Sequence, residues 1–222
     1  MIAIVMNSPE EGAGLFEEIL RRSGYPYSVF EAYRGERFAA EEMDAILIMG
    51  GPMSANDDLD FIHWELKLIR EAVERNIPFL GVCLGCRLLA KALGGNVYEA
   101  PVKKVGVYTI KLTVDGLRDY CFSGLDLEIP VFQWHGETYT LPEGCVRLAE
   151  GKLVKEQAFR YLDRFYGLQF HVEITPEMAS KWVKKLGNRG TEVLEDFNRY
   201  YPEMRQIAEH IFTRFLGIVE RC

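Results

Sequence analysis

The reading of this chain turns on Pro78-Phe79-Leu80-Gly81-Val82-Cys83-Leu84-Gly85-Cys86-Arg87-Leu88. A short apolar run ends at a cysteine set between two glycines, and an apolar helical pattern starts at once. Gly81 to Gly85 has the form glycine-x-nucleophile-x-glycine, the strand-to-helix elbow that lifts a reactive side chain onto a strained turn. Glycine suits a turn where neighbouring backbone comes too close for a Cβ. A helix that begins just after Cys83 aims its free N–H groups at the sulfur, which favours thiolate over thiol. The plain alternative is a strand-end cysteine packed as a small hydrophobe.

Towards the N-terminus, Ile2 to Met6, Tyr27 to Tyr33 and Ala45 to Met49 read as strands. Ala45 to Met49 is apolar on both faces, as a central parallel strand is. It runs into the loop Gly50-Gly51-Pro52-Met53-Ser54, and open α/β sheets bind ligands at such carboxyl ends. Ser8 is expected to cap a first helix, with Pro9 in its first turn and Gly24 as its stop. Ile62, Leu66, Ile69 and Val73 mark a second helical face. Leu88, Leu89, Ala92 and Leu93 mark the elbow helix, which Gly94-Gly95 end. This alternation predicts an α/β fold: a three-layer sandwich with a central, mostly parallel sheet.

Downstream, Val105 to Thr113 and Ile129 to Trp134 predict a small β-rich insertion. Gln157 to Leu162 and Phe165 to Phe170 predict a hairpin around Asp163-Arg164. Pro176 to Leu186 reads as a helix capped by Thr175. A helical tail from Thr191 to Cys222 is expected to break near Pro202 and to pack back on the α/β domain. Residues 1–222 read as one domain with a helical extension from about 187.

Net charge is −7, and basic residues adjoin only as pairs such as Lys103-Lys104 and Lys184-Lys185, so nucleic acid is not an expected partner. No apolar run nears the ~20 residues of a membrane span. The N-terminus lacks a basic leader and reads as a first strand. Five cysteines are an odd count and sit apart, except for Cys83 and Cys86, which points to a reducing cytoplasm.

A cysteine nucleophile needs a base, and the base needs an orienting acceptor. Of the four histidines, His63 and His210 lie in amphipathic helical stretches and read as surface or packing residues. His135 and His171 both follow strand-like runs. His171 is the better base because Glu173, two residues on, shares its face of an extended segment. The alternative for His171 is a solvated turn before a helix.

Gly50-Gly51-Pro52, the Cys83 elbow and Gly167-Leu168-Gln169-Phe170-His171-Val172-Glu173 occur in that order. The arrangement resembles the class I glutamine amidotransferases, the Cys-His-Glu family. It is most similar to stand-alone members related to the glutaminase domain of GMP synthase. The resemblance continues through Met53 to Asp57, Trp134-His135-Gly136-Glu137-Thr138, Leu141-Pro142 and Gln157-Ala158-Phe159. It implies a flavodoxin-like fold and hydrolysis of the glutamine side-chain amide through a thioester. It also implies Cys83 as nucleophile, His171 as base, Glu173 as orienter, and the amides of Gly51 and Leu84 as oxyanion hole. By the same resemblance His135, Gly136, Glu137 and Arg87 fall at substrate-binding positions. Two of these depart from the family pattern. Arg87 stands where glutamine is common, and Glu137 where aspartate is common. Arg87 is free to meet a substrate carboxylate, a protein acid or solvent.

Three rival readings stay open. Cys83-Leu84-Gly85-Cys86 is a C-x-x-C, the mark of a thioredoxin-like dithiol. A γ-glutamyl hydrolase or peptidase would use the same triad on a larger amine. A non-catalytic binding module is the third. No cofactor or metal is expected, since no second C-x-x-C or histidine pair supports a site. No phosphate-loop motif occurs, so ammonia would serve a synthetase on a separate chain.

Overall fold

The computed structural model describes residues 1–221, so the end of the expected tail, Cys222, lies outside the described residues. Nine strands form one sheet in the order β2-β1-β3-β4-β9-β8-β7-β5-β6. The strands are β1 (Ile2–Met6), β2 (Tyr27–Glu31), β3 (Ala45–Ile48), β4 (Phe79–Val82), β5 (Val97–Leu112), β6 (Glu128–Tyr139), β7 (Cys145–Glu150), β8 (Glu156–Tyr161) and β9 (Phe165–Leu168). The helices are α1 (Leu15–Ser23), α2 (Asp60–Glu74), α3 (Leu84–Ala92), α4 (Val114–Arg118), α5 (Pro176–Val183) and α6 (Arg189–Val219). Strands β2, β1, β3, β4 and β9 run parallel. The remaining strands join antiparallel.

The three layers follow from strand alternation. Ile2, Ile4, Leu47, Leu80 and Val82 face a core shared with α1 and α6. Ala3, Val5, Ile46, Ile48 and Phe79 face the opposite core, shared with α2 and α3. Strands apolar on both faces are what a sheet covered on both sides requires. The β-rich middle is not a separate appendage. It extends the same sheet, and β6 returns so that Phe132 pairs with His171 just past β9. That bridge carries the far edge of the sheet to the end of β4.

Some boundaries differ from the sequence reading. The second strand ends at Glu31, and Ala32–Arg34 turn into a short 3-10 helix. Ser8 caps no helix. Ser8 to Glu11 form a turn, and α1 starts at Leu15. The reason is tertiary. Leu15 N–H donates to the Glu173 carbonyl at 2.8 Å, and a Cβ on Gly14 would strike that carbonyl. Trp182 Nε1 donates to the Glu10 carbonyl at 2.9 Å. Residues 8–14 are therefore held against the Glu173 segment and α5. Pro202 does not break the tail, since α6 runs through it as one 31-residue helix. Pro202 and Asn198 are both exposed, so the carbonyl freed four residues back meets water. Buried Phe197 and Met204 on either side hold the helix together. Strand β7 and helix α4 carry no clear periodic signal in the sequence.

Candidate active site

Cys83 stands between the end of β4 and the start of α3, with φ 52° and ψ −99°. Positive φ is costly for a residue with a Cβ and persists only where the surroundings hold it. Here its N–H donates to the Leu168 carbonyl of β9 at 2.7 Å, and its carbonyl accepts from Arg87 N–H at 3.1 Å. The flanking glycines have steric causes. A Cβ on Gly81 would lie 2.7 Å from the Cys86 nitrogen, and one on Gly85 would strike the Ile48 carbonyl of β3. The elbow needs both close approaches.

The thiol is buried, at 2% exposure. Burial pushes the Cys83 thiol up, but the Arg87 charge and then His171 outweigh it, and the net shift is downward. Arg87 Nη1 lies 3.5 Å from the sulfur, and Gln169 Nε2 lies 3.9 Å from it. The other described cysteines move the opposite way. Burial pushes Cys121 and Cys145 up to about 12 and raises Cys86 further. Cys86 faces the core on the opposite side of the sheet from Cys83, against Gly167. The two thiols do not form a facing dithiol.

His171 and Glu173 are each 1% exposed. His171 Nδ1 lies 2.7 Å from Glu173 Oε1. Burial acts to lower the imidazole, but Glu173 and then Cys83 raise it well above its ordinary value. The two shifts run in opposite directions, the thiol down and the imidazole up, because each group favours the charged form of the other. The ring is held by the backbone pairing of His171 with Phe132, at 2.7 and 3.2 Å, and by Trp182, whose ring centre is 5.0 Å away.

The Gly50-Gly51 loop packs against this group. A Cβ on Gly50 would come within 3.2 Å of His171 Cε1 and would strike the Glu11 carboxylate. A Cβ on Gly51 would come within 2.9 Å of both Asn7 Cβ and Leu84 Cδ2. Gly51 and Leu84 therefore adjoin. Leu84 opens α3, where an amide has no intrahelical acceptor.

Arg87, His135, Gly136 and Glu137 all line a cavity of about 770 Å³, and Arg87 reaches from it to the thiol. The two departures from the family pattern meet each other. Arg87 Nε lies 3.4 Å from Glu137 Oε2, with the arginine side chain 5% exposed. The geometry is that of an ion pair without an aligned hydrogen bond. Ser54 Oγ donates to Glu137 Oε1 at 2.6 Å. The arginine thus meets a protein acid and the thiol. His135 is buried, and burial followed by the Arg87 charge lowers it to about 3, so it is neutral. Its Nδ1 lies 2.9 Å from the Glu137 carbonyl, within the same strand β6. Of the remaining histidines, His63 pairs with Asp58 and His210 bonds to the Ser123 carbonyl, as surface or packing residues do.

Two acids in the cavity wall, Glu11 and Glu99, escape the sequence reading. Glu11 lies among His171, Glu173 and Arg87, and burial raises its carboxyl against the pull of His171. No motif marks it. Its only signal is its place in a turn-prone stretch after the first strand.

The model of the class I glutamine amidotransferase family matches residues 15–187. A glutamine amidotransferase-like protein of Salmonella typhimurium is 31% identical over 190 residues, covering 82% of this chain and 80% of that protein. A glutamine-hydrolysing GMP synthase subunit of Sulfolobus acidocaldarius is 31% identical over 159 residues, covering 71% of this chain and 76% of its own length. The crystal structure of a glutamine amidotransferase from Thermotoga maritima covers 97% of both chains with a TM-score of 0.89 at 27% identity. A family match over most of the length, joined to a solved relative with the same sheet and helices, means that this chain belongs to the class I glutamine amidotransferases.

Proposed function

We propose that this protein hydrolyses the side-chain amide of glutamine through a Cys83 thioester and releases ammonia. The carrying observation is a buried thiol with Arg87 at 3.5 Å, beside a His171–Glu173 pair at 2.7 Å. The Cys83 thiolate attacks the amide carbonyl carbon. The N–H groups of Leu84 and Gly51 receive the oxyanion, a contribution of about 3 to 4 kcal/mol per donor. His171 passes its proton to the departing nitrogen, and the C–N bond breaks to leave ammonia and a γ-glutamyl thioester. Neutral His171 then takes a proton from water as the water attacks, and the C–S bond breaks. Glutamate leaves and the ion pair is restored. Glu173 keeps the imidazole oriented throughout.

Relatives named as GMP synthase subunits support an acceptor for the ammonia on a second chain. The four described cysteines are free thiols, in keeping with the cytoplasm. No helix among the described residues is long and apolar enough to cross a membrane. A second reading rests on the cavity. About 770 Å³ lies within the range of sites that enclose drug-sized ligands, which favours a γ-glutamyl amide of a larger amine. Ammonia release from glutamine, compared with amine release from γ-glutamyl dipeptides, decides between the two. Faster cleavage of the dipeptides overturns the first reading.

A further inference from the structure

The cavity wall carries more charge than its ion pairs use. Arg87 is paired with Glu137, and Lys185 with Glu10. Glu11, Glu99 and Lys103 also line the cavity, and their side chains form no ion pair or hydrogen bond among the described residues. Two of the three sit together. Glu99 pairs in register with Glu137 across β5 and β6, and a Cβ on Gly136 would come within 3.9 Å of Lys103 Cγ. They offer an acid and a base to the ammonium and the carboxylate that every γ-glutamyl group carries.

Glu11 is placed elsewhere, beside His171. A Cβ on Gly50 would strike Glu11 Oε2 and come within 3.2 Å of His171 Cε1, so the carboxylate and the imidazole edge meet at one point of the loop. Cε1 lies between the two ring nitrogens, and Nδ1 is engaged by Glu173. The edge that Glu11 meets is thus shared with Nε2, the nitrogen left to hand a proton to the leaving group. Two indoles line the same cavity. The Trp182 ring centre lies 5.0 Å from that of His171 and 6.0 Å from that of Trp134, edge to face in both cases. Aromatic rings beside an unpaired carboxylate are the chemistry that holds an organic ammonium. Burial raises the Glu11 carboxyl, and a bound cation offsets that cost by favouring the charged form.

We propose that Glu11, Trp134 and Trp182 form a leaving-group subsite for an ammonium, and that the substrates are γ-glutamyl amides of diamines, in which the amine released carries a second, protonated amino group. The proposal rests on the amide hydrolysis above and specifies its larger-amine form. The bonds are the same. Cys83 Sγ bonds to the carbonyl carbon, the C–N bond breaks as the His171 proton passes to the departing nitrogen, and water then releases glutamate. Glu11 transfers no proton and holds only the distal ammonium.

The test uses the full chain with L-glutamine and the γ-glutamyl amides of butylamine, 1,4-diaminobutane and 4-aminobutanoate. The last three match in length and differ in charge. Expected for wild type is a kcat/KM about tenfold or more higher for the diaminobutane amide than for the butylamine amide, with the aminobutanoate amide lowest. In Glu11→Gln the advantage of the cationic amide over the neutral one should fall to about twofold or less, a ratio in which any general loss of activity cancels. Wild type that cleaves the butylamine amide as well as the diaminobutane amide overturns the proposal, as does an unchanged ratio in Glu11→Gln. Calorimetry on Cys83→Ala reads the subsite without turnover. The diaminobutane amide is expected to bind about tenfold more tightly than the butylamine amide, and equal binding overturns the subsite. If wild type cleaves none of the four amides while the tighter binding stands, the proposed hydrolysis fails and the subsite survives.

Discussion

Replacing Arg87 by glutamine, the residue common at this position in the family, isolates its effect on the thiol. Arg87 Nη1 lies 3.5 Å from Cys83 Sγ. A unit charge at that distance from a thiolate contributes about 5 kcal/mol at an effective dielectric constant near 20. Glu137, 3.4 Å from Arg87 Nε, offsets part of it. If a third survives, about 1.5 kcal/mol, the thiolate fraction at neutral pH falls about tenfold in Arg87→Gln. The assay is the pH profile of Cys83 alkylation by iodoacetamide, followed by mass spectrometry of the labelled peptide. The profile midpoint reads the ionisation apart from intrinsic nucleophilicity, which itself rises with pKa. Cys86, Cys121 and Cys145 are raised and stay silent below strongly alkaline pH. Expected is a midpoint moved to higher pH in Arg87→Gln and to lower pH in Glu137→Gln, which frees the arginine charge. Superimposable profiles for wild type and Arg87→Gln would refute the assignment of the low thiol to Arg87.

Three further outcomes follow from the packing. Gly85→Ala drives a Cβ into the Ile48 carbonyl, a backbone atom that cannot step aside; chemical denaturation should record a loss of about 3 kcal/mol or more. Cys86→Ala should leave glutamine hydrolysis within about twofold, since a buried methyl replaces a thiol that faces the far core; loss of activity would restore the dithiol reading. Glu65 sits at about 8 when folded, against 4.5 ordinarily. Between those values the unfolded chain has released the proton that the folded chain retains, so stability falls as pH rises through this window. The full difference is of order 5 kcal/mol. The Glu65→Gln variant lacks it, so its stability relative to wild type should grow from about pH 5 to about pH 8 in urea unfolding, and a constant difference would count against a raised Glu65.

How much the sequence reveals depends on the range of the forces involved. The elbow is local: Gly81, Cys83 and Gly85 lie within one turn, and their spacing already implies a strained nucleophile. Strands β1, β3 and β4 show apolar side chains on both faces, so their burial in a parallel sheet is legible. The His171–Glu173 pair needs only the two-residue period of extended chain. The failures are long-range. Ser8 and Pro9 look like a helix start, yet contacts with Glu173 and Trp182, more than 150 residues away, hold the segment in a turn. Arg87 and Glu137 each depart from the family pattern, and only the curl of β6 shows that the departures are partners. Glu11 and Glu65 carry no motif at all. Glu65 lies in the apolar stripe of α2, and only burial in the folded core raises it.

The central claim is a covalent γ-glutamyl intermediate on Cys83, and acid quenching during turnover of L-glutamine tests it most directly. Intact-protein and peptide mass spectrometry should find one γ-glutamyl group per chain, located on the Cys83 peptide. It should be absent in Cys83→Ala and strongly reduced in His171→Ala. A wild-type protein that releases ammonia from glutamine with no adduct on Cys83, or with equal turnover after Cys83→Ala, would contradict the account.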